Sequence, residues 1–136
     1  MSALVVDTSS WVSFFASGAR AAEIEDALGD GRVYLPPVVA AELTSGALAR
    51  RELEELRSFL ADLPLCHTPL EHWLAVGELR ASLRRQGESI STPDAHVAQC
   101  TLDLGAVLLS EDTVFSRIAP GIGLRLLPAE RHASAR

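Results

Sequence analysis

The chain has 136 residues, a formal net charge of -6, 48% hydrophobic and 22% charged residues, the size and make-up of one globular domain with its own core. It contains no lysine, which excludes a Walker A loop, Schiff-base chemistry and receiver-type phosphotransfer, since each needs an ammonium. The acidic balance also argues against nucleic-acid binding by bulk attraction, so a polyanionic substrate would need metal ions as intermediaries.

Leu4 to Val6 is a short β-branched run ending at Asp7-Thr8-Ser9-Ser10, which predicts a buried strand passing into a capped helix. Ala21 to Leu28 is helical and stops at Gly29-Asp30-Gly31. Val33-Tyr34-Leu35 is a second strand, and Pro36-Pro37 opens a helix carrying Val38, Val39, Glu42 and Leu43. Between Ala49 and Leu60 apolar residues recur at helical spacing. Leu63 to His67 reads as a third strand. A longer helix follows from Leu70 to about Arg85, with Leu70, Trp73, Leu74, Val76, Leu79 and Leu83 expected inward and Gly87 closing it. Ser91-Thr92-Pro93 starts a helix that ends at Gly105. Ala106 to Leu109 is a strand, Asp112 to Ala119 a helix and Leu124 to Leu127 a last strand.

Strands that are apolar throughout and alternate with helices predict a central parallel sheet covered on both faces. One domain is expected over 1–128, with a frayed polar tail at 129–136. No segment is apolar for the length of a membrane span, and the N-terminus has no basic region before its short apolar run. The expected location is therefore cytoplasmic, with no membrane contact. Cys66 and Cys100 lack C-x-x-C spacing and read as small buried hydrophobes. The histidines (His67, His72, His96, His132) show neither H-x-x-x-H nor H-E-x-x-H spacing, which makes a zinc site a poor reading.

In such sheets ligands bind beyond the carboxyl ends of the strands, and acids fall there. Asp7 ends the first strand, Asp112 lies just past Val107-Leu108-Leu109, and Asp94 opens a helix that feeds a strand and so begins over the same edge. Glu42 follows Val38 by four and Val39 by three, which puts it on the apolar stripe of its helix, where a carboxylate is costly unless something positive meets it. Taken singly, Asp7, Asp94 and Asp112 read equally well as helix caps, and Glu42 as a partly exposed side chain. Together, crowded carboxylates imply a divalent cation, and oxygen-only ligation selects hard ions such as Mg2+ or Mn2+.

The stretches V-V-D-T-S, V-V-A-A-E-L, T-P-D-A-H-V-A-Q and L-L-S-E-D-T-V-F resemble, in order and spacing over roughly residues 3 to 127, the PIN-domain nucleases and especially the VapC-like toxins of bacterial toxin-antitoxin pairs. The resemblance implies a three-layer α/β/α sandwich. It also implies a Mg2+ or Mn2+ site at Asp7, Glu42, Asp94 and Asp112, hydrolysis of RNA to a 5'-phosphate and a 3'-hydroxyl, a small antitoxin partner and a homodimer. Ser110 matches a family hydroxyl position, and Thr8 or Ser9 would orient Asp7. Family members often carry a further aspartate where this chain has Val114, so a second ion would be held loosely.

A bound Mg2+ would activate a water and neutralise charge on the scissile phosphate without a lysine or histidine nucleophile. Asp7 and Asp94 are the first candidates for direct ligands. Arg80, Arg84 and Arg85 on one helix are candidate RNA contacts, with a solvated helix surface as the plain alternative. Two other readings stand beside this one. A haloacid-dehalogenase-like phosphatase would need a second aspartate where Ser9 lies. A PIN-like binding module without catalysis would have no use for a core-facing Glu42.

Overall fold

A computed structural model describes residues 1–128; the expected tail at 129–136 lies outside the described residues. The elements in chain order are β1 (Leu4–Val6), α1 (Thr8–Ser17), α2 (Ala21–Gly29), β2 (Val33–Tyr34), α3 (Pro37–Thr44), α4 (Arg50–Ala61), α5 (Leu70–Arg85), α6 (Thr92–Leu104), β3 (Val107–Leu109) and α7 (Thr113–Ile122). The sheet is parallel with order β2-β1-β3, Leu4 pairing with both Val33 and Val107. With helices on both faces it is the expected α/β/α sandwich.

The two further strands expected from sequence are reduced to single parallel bridges. Leu65 bridges to Leu35 beyond β2, and Leu126 to Leu108 beyond β3. The backbone still pairs there: Cys66 N–H donates to the Leu35 carbonyl at 2.9 Å and Leu127 N–H to the Leu108 carbonyl at 2.8 Å. Proline at 64 has no N–H to extend the first ladder, and the second runs out at Pro128. Sheet order thus continues outward on both sides, with β1 at the centre and wholly buried.

Central position explains composition. Val5 and Val6 pack with Val33, Val39, Ile24, Trp11, Leu108 and Phe115 in one core cluster, the continuous apolar burial that a parallel sheet requires. Helix α6 contributes six buried residues, more than any other helix, and lies against β1 and β3. Its end is set by Gly105, whose φ of 60° is the left-handed cap that lets the chain turn into β3.

Helix α5 departs from the expected pattern. Leu70 and Leu74 are 68% and 63% exposed and Trp73 37%, while His72 is 4% exposed. The inward face is His72, Val76 and Leu83; Leu70 and Leu74 lie on an exposed side of the first turns, while Trp73 lies between, stacked on the His96 ring of α6.

Candidate functional site

Because every strand is parallel, the ends of β1 and β3 and the starts of α1 and α7 share one edge. Helix α6 runs back to feed β3, so it also begins there. Asp7 is the first residue beyond β1 and is 6% exposed. Its side chain caps nothing at the second or third residue of α1. Instead Oδ2 accepts from Ser110 Oγ at 2.9 Å and from Ser9 Oγ at 3.3 Å. Ser110, just past β3, also accepts the Asp112 N–H at 3.0 Å, and Ser9 accepts the Glu111 N–H at 3.1 Å. These hydroxyls knit the two strand ends together.

The helix-cap alternative resolves differently at each acid. Asp112 is a cap, its Oδ1 accepting the Val114 N–H at 3.0 Å. Asp94 is not: Ser91 caps α6 by accepting the Asp94 N–H at 3.2 Å, which leaves the half-buried Asp94 carboxylate one turn in. Glu42 corrects the sequence expectation. It is exposed rather than core-facing, because the buried stripe of α3 is carried by Val39 and Leu43. Thr8 Oγ1 donates to Glu42 Oε1 at 2.5 Å. With it goes the argument that an inert fold would not tolerate Glu42.

The acids sense one another. Burial is the main cause that raises Asp7 above the usual aspartate range; hydrogen bonds from Ser110, Thr8 and Ser9 oppose it, and the charge of Glu42 adds to it. Asp94 is also raised, first by burial, against its hydrogen bond with Ser91, and then by the charges of Asp112, Asp7 and Glu42. Among the described residues no arginine is among the groups that set either carboxyl. A hard cation therefore fits the chemistry of this donor set, oxygens that repel one another without a built-in counter-ion. The carboxylates stand further apart than a closed site would hold them, since among the described residues only His72, His96 and Cys100 bring three ligand atoms within 4.8 Å.

The arginines proposed from sequence differ in their surroundings. Arg80 Nε donates to the Ile90 carbonyl at 2.9 Å, ahead of the Ser91 cap, while Arg84 and Arg85 are exposed in the last turn of α5. Sequence reasoning missed Arg20, which lines a cavity of about 340 Å3 with Ser110, Asp112 and Ser116. Its φ of 60° is the left-handed conformation uncommon for side-chain-bearing residues, and Glu23 holds its guanidinium at 3.1 Å. Nothing in the stretch G-A-R-A-A signals this. Val114, where a family acid often stands, is buried in the core cluster.

The buried cluster is the second feature that local spacing could not show. His72 Nδ1 meets the Asp103 carboxylate at 3.2 Å, and its Nε2 meets His96 Nδ1 at 2.7 Å. The Val38 N–H reaches His96 Nε2 at 3.5 Å. Burial first, then the neighbouring His72, lowers His96 to about 4, so it is a neutral ring at physiological pH. The Cys100 thiol is pushed far up by its hydrogen bond with Cys66, by burial and by the charge of Asp103. Both cysteines are buried as expected.

The PIN domain family matches residues 4–120. Comparison with curated proteins gives no significant match. Among solved structures, the fold is shared with DNA-bound VapBC from Salmonella typhimurium (TM-score 0.77, 21% identity, 93% of this chain and 98% of that chain). VapBC2 from Rickettsia felis bound to a promoter DNA fragment has TM-score 0.76 at 19% identity, with the same coverage. VapBC-5 from Mycobacterium tuberculosis has TM-score 0.66 at 20% identity and covers 95% of this chain and 100% of that chain. With the family match running from the first strand into the last helix, around the edge where Asp7, Asp94 and Asp112 lie, the chain belongs to the PIN domain family.

Proposed function

We propose that the chain is a Mg2+- or Mn2+-dependent endoribonuclease, the toxin of a VapBC-type toxin-antitoxin pair, with Asp7, Asp94, Glu42 and Asp112 as metal-binding and catalytic residues. The observation that carries the reading is the state of Asp94, whose carboxyl is raised first by burial and then by the charges of Asp112, Asp7 and Glu42, with no arginine to offset them. In this reading Asp7 and Asp94 hold the ion directly, Thr8 steers Glu42, and Ser9 and Ser110 fix Asp7. The ion supplies the Lewis acidity and lowers the pKa of its bound water. The acids keep that water and the phosphate in line.

The shared fold with chains from VapBC complexes supports an antitoxin partner, whose segment would occlude the acidic edge with an arginine. An apolar groove of about 380 Å3 between α1 and α4, lined by Phe15, Leu48, Leu56 and Phe59 with Glu52 and Glu55 at its rim, suits an apolar segment carrying basic residues. Leu70, Trp73 and Leu74 share one side of α5 and offer an apolar surface for a second copy. No described helix is long and apolar enough to cross a membrane, which accords with action on RNA in the cytoplasm.

A second reading is favoured by Glu42 itself. Since it is exposed and held by Thr8, the fold tolerates it without a metal, and a PIN domain that binds without cutting accounts for it equally. Family membership leaves no place for the dehalogenase-like phosphatase. The deciding experiment is cleavage of a mixed RNA pool with Mg2+ or Mn2+, with and without chelator, comparing the native chain with Asp94→Asn. Cleavage that needs both metal and Asp94 supports the nuclease; metal binding without hydrolysis supports the inert module.

A further inference from the structure

Away from the acidic carboxylates, His72 from α5 and His96 and Cys100 from α6 are all buried and bring their ligand atoms within 4.8 Å of one another. Cys66 is buried in the segment that bridges to Leu35. Both sulfurs and His72 line a cavity of about 370 Å3 that opens to the surface beside His67 and Glu71.

We propose that His72 Nε2, His96 Nδ1, Cys100 Sγ and Cys66 Sγ form a tetrahedral site for a zinc-type divalent cation, one that ties α5, α6 and the edge segment together. The donor set is the first argument. Imidazole and thiolate select zinc or cobalt over magnesium, and two thiolates neutralise the dication in a buried place.

Orientation is the second argument. Asp103 accepts from His72 Nδ1–H, which leaves Nε2 as the lone pair facing His96, the carboxylate–histidine arrangement that supports metal ligands. Trp73 stacks on the His96 ring, centroids 4.6 Å apart and planes 3° from parallel, and fixes its plane.

Distances are the third. A tetrahedral ion about 2.0 to 2.1 Å from nitrogen and about 2.3 Å from sulfur sets N···N near 3.3 Å and N···S near 3.5 Å. The imidazole nitrogens now share a hydrogen bond at 2.7 Å, and Cys100 Sγ is 4.0 Å from His96 Nδ1. These two gaps change by roughly half an ångström and the widest separation in the group, 4.8 Å, by more than one, which side-chain rotations of His72 and Cys100 must supply. The proton on His96 Nδ1 moves to Nε2, where only the long 3.5 Å approach of the Val38 N–H is given up. Each thiol releases its proton to solvent as it binds.

The site shares no ligand with the acidic edge, so it stands whether or not the chain cuts RNA. The test is Co2+ titration of chelator-treated protein, followed by displacement with Zn2+, in the native chain and in Asp94→Asn. The expected result in both is one tight Co2+ with thiolate charge-transfer and tetrahedral visible bands, and release of protons on binding. Cys100→Ser should lose most of the charge-transfer intensity. Asp103 is half exposed, so Asp103→Asn should fold normally and weaken Co2+ about 10- to 100-fold; it decides alone if Cys100→Ser does not fold. Absence of thiolate bands in the native chain, or bands and affinity unchanged in Asp103→Asn, would overturn the proposal.

Discussion

Ser110 Oγ donates to Asp7 Oδ2 at 2.9 Å across 103 residues of sequence, and the same oxygen accepts the Asp112 N–H at 3.0 Å. One hydroxyl therefore joins the end of β1 to the turn after β3. Its donation lowers the proton affinity of an aspartate that burial raises. Ser110→Ala should cost about 1 kcal/mol of stability and move the acid limb of any metal-dependent cleavage to higher pH. Rate-against-pH profiles check this; an unmoved limb would mean that Asp7 does not titrate with activity.

Asp94→Asn should separate stability from function. Its folded-state proton affinity is raised, so this group favours the fold below the unfolded value of 3.8 and loses that contribution as pH rises through the folded value. At neutral pH, without metal, the substitution should raise the melting temperature by a few degrees and abolish the further rise given by Mn2+. Melts at pH 4 and pH 7, with and without Mn2+, give the comparison. The benefit should be smaller at pH 4.

His96 runs in the opposite direction. Its value falls from 6.5 to about 4 on folding, so the unfolded chain binds more protons between these values. Stability is complete above about 6.5 and declines as pH falls toward 4, by up to about 3 kcal/mol. Urea midpoints of chelator-treated protein at pH 7 and pH 5 should differ more for the native chain than for His96→Asn. Equal differences would contradict the neutral buried ring.

The apolar side of α5 makes the dimer testable. Leu70 and Leu74 are more than half exposed and one turn apart. Leu74→Glu should leave the melting temperature of the monomer within about 2 °C, since surface changes cost little, while shifting the mass in light scattering from dimer to monomer. A native chain already monomeric at micromolar concentration would remove this surface as a subunit contact.

The central strands and the helices were legible because parallel-sheet burial leaves continuous apolar runs, and β1 and β3 lie close to the stretches that predicted them. The outer strands were overread: the Leu63–His67 and Leu124–Leu127 runs carry strand composition, yet each pairs through one bridge. Glu42 was misread because an apolar stripe fixes which side of α3 meets the core but not how far that side extends on a helix of eight residues. The histidine–cysteine cluster was illegible for a topological reason. Its groups come from Cys66, α5 and α6, brought together by helix packing and not by local spacing, and only the His96–Cys100 interval is local. Arg20 owes its position to a backbone conformation that no side-chain pattern encodes.

The central claim is that Asp7, Glu42, Asp94 and Asp112 hold a hard dication. Mn2+ binding to chelator-treated protein, followed by electron paramagnetic resonance, tests it directly. Asp7→Asn and Asp94→Asn should each weaken Mn2+ by at least about tenfold, Glu42→Gln and Asp112→Asn by less, and Asp62→Asn, at the end of α4, not at all. Mn2+ affinity the same in Asp94→Asn as in Asp62→Asn would contradict the account.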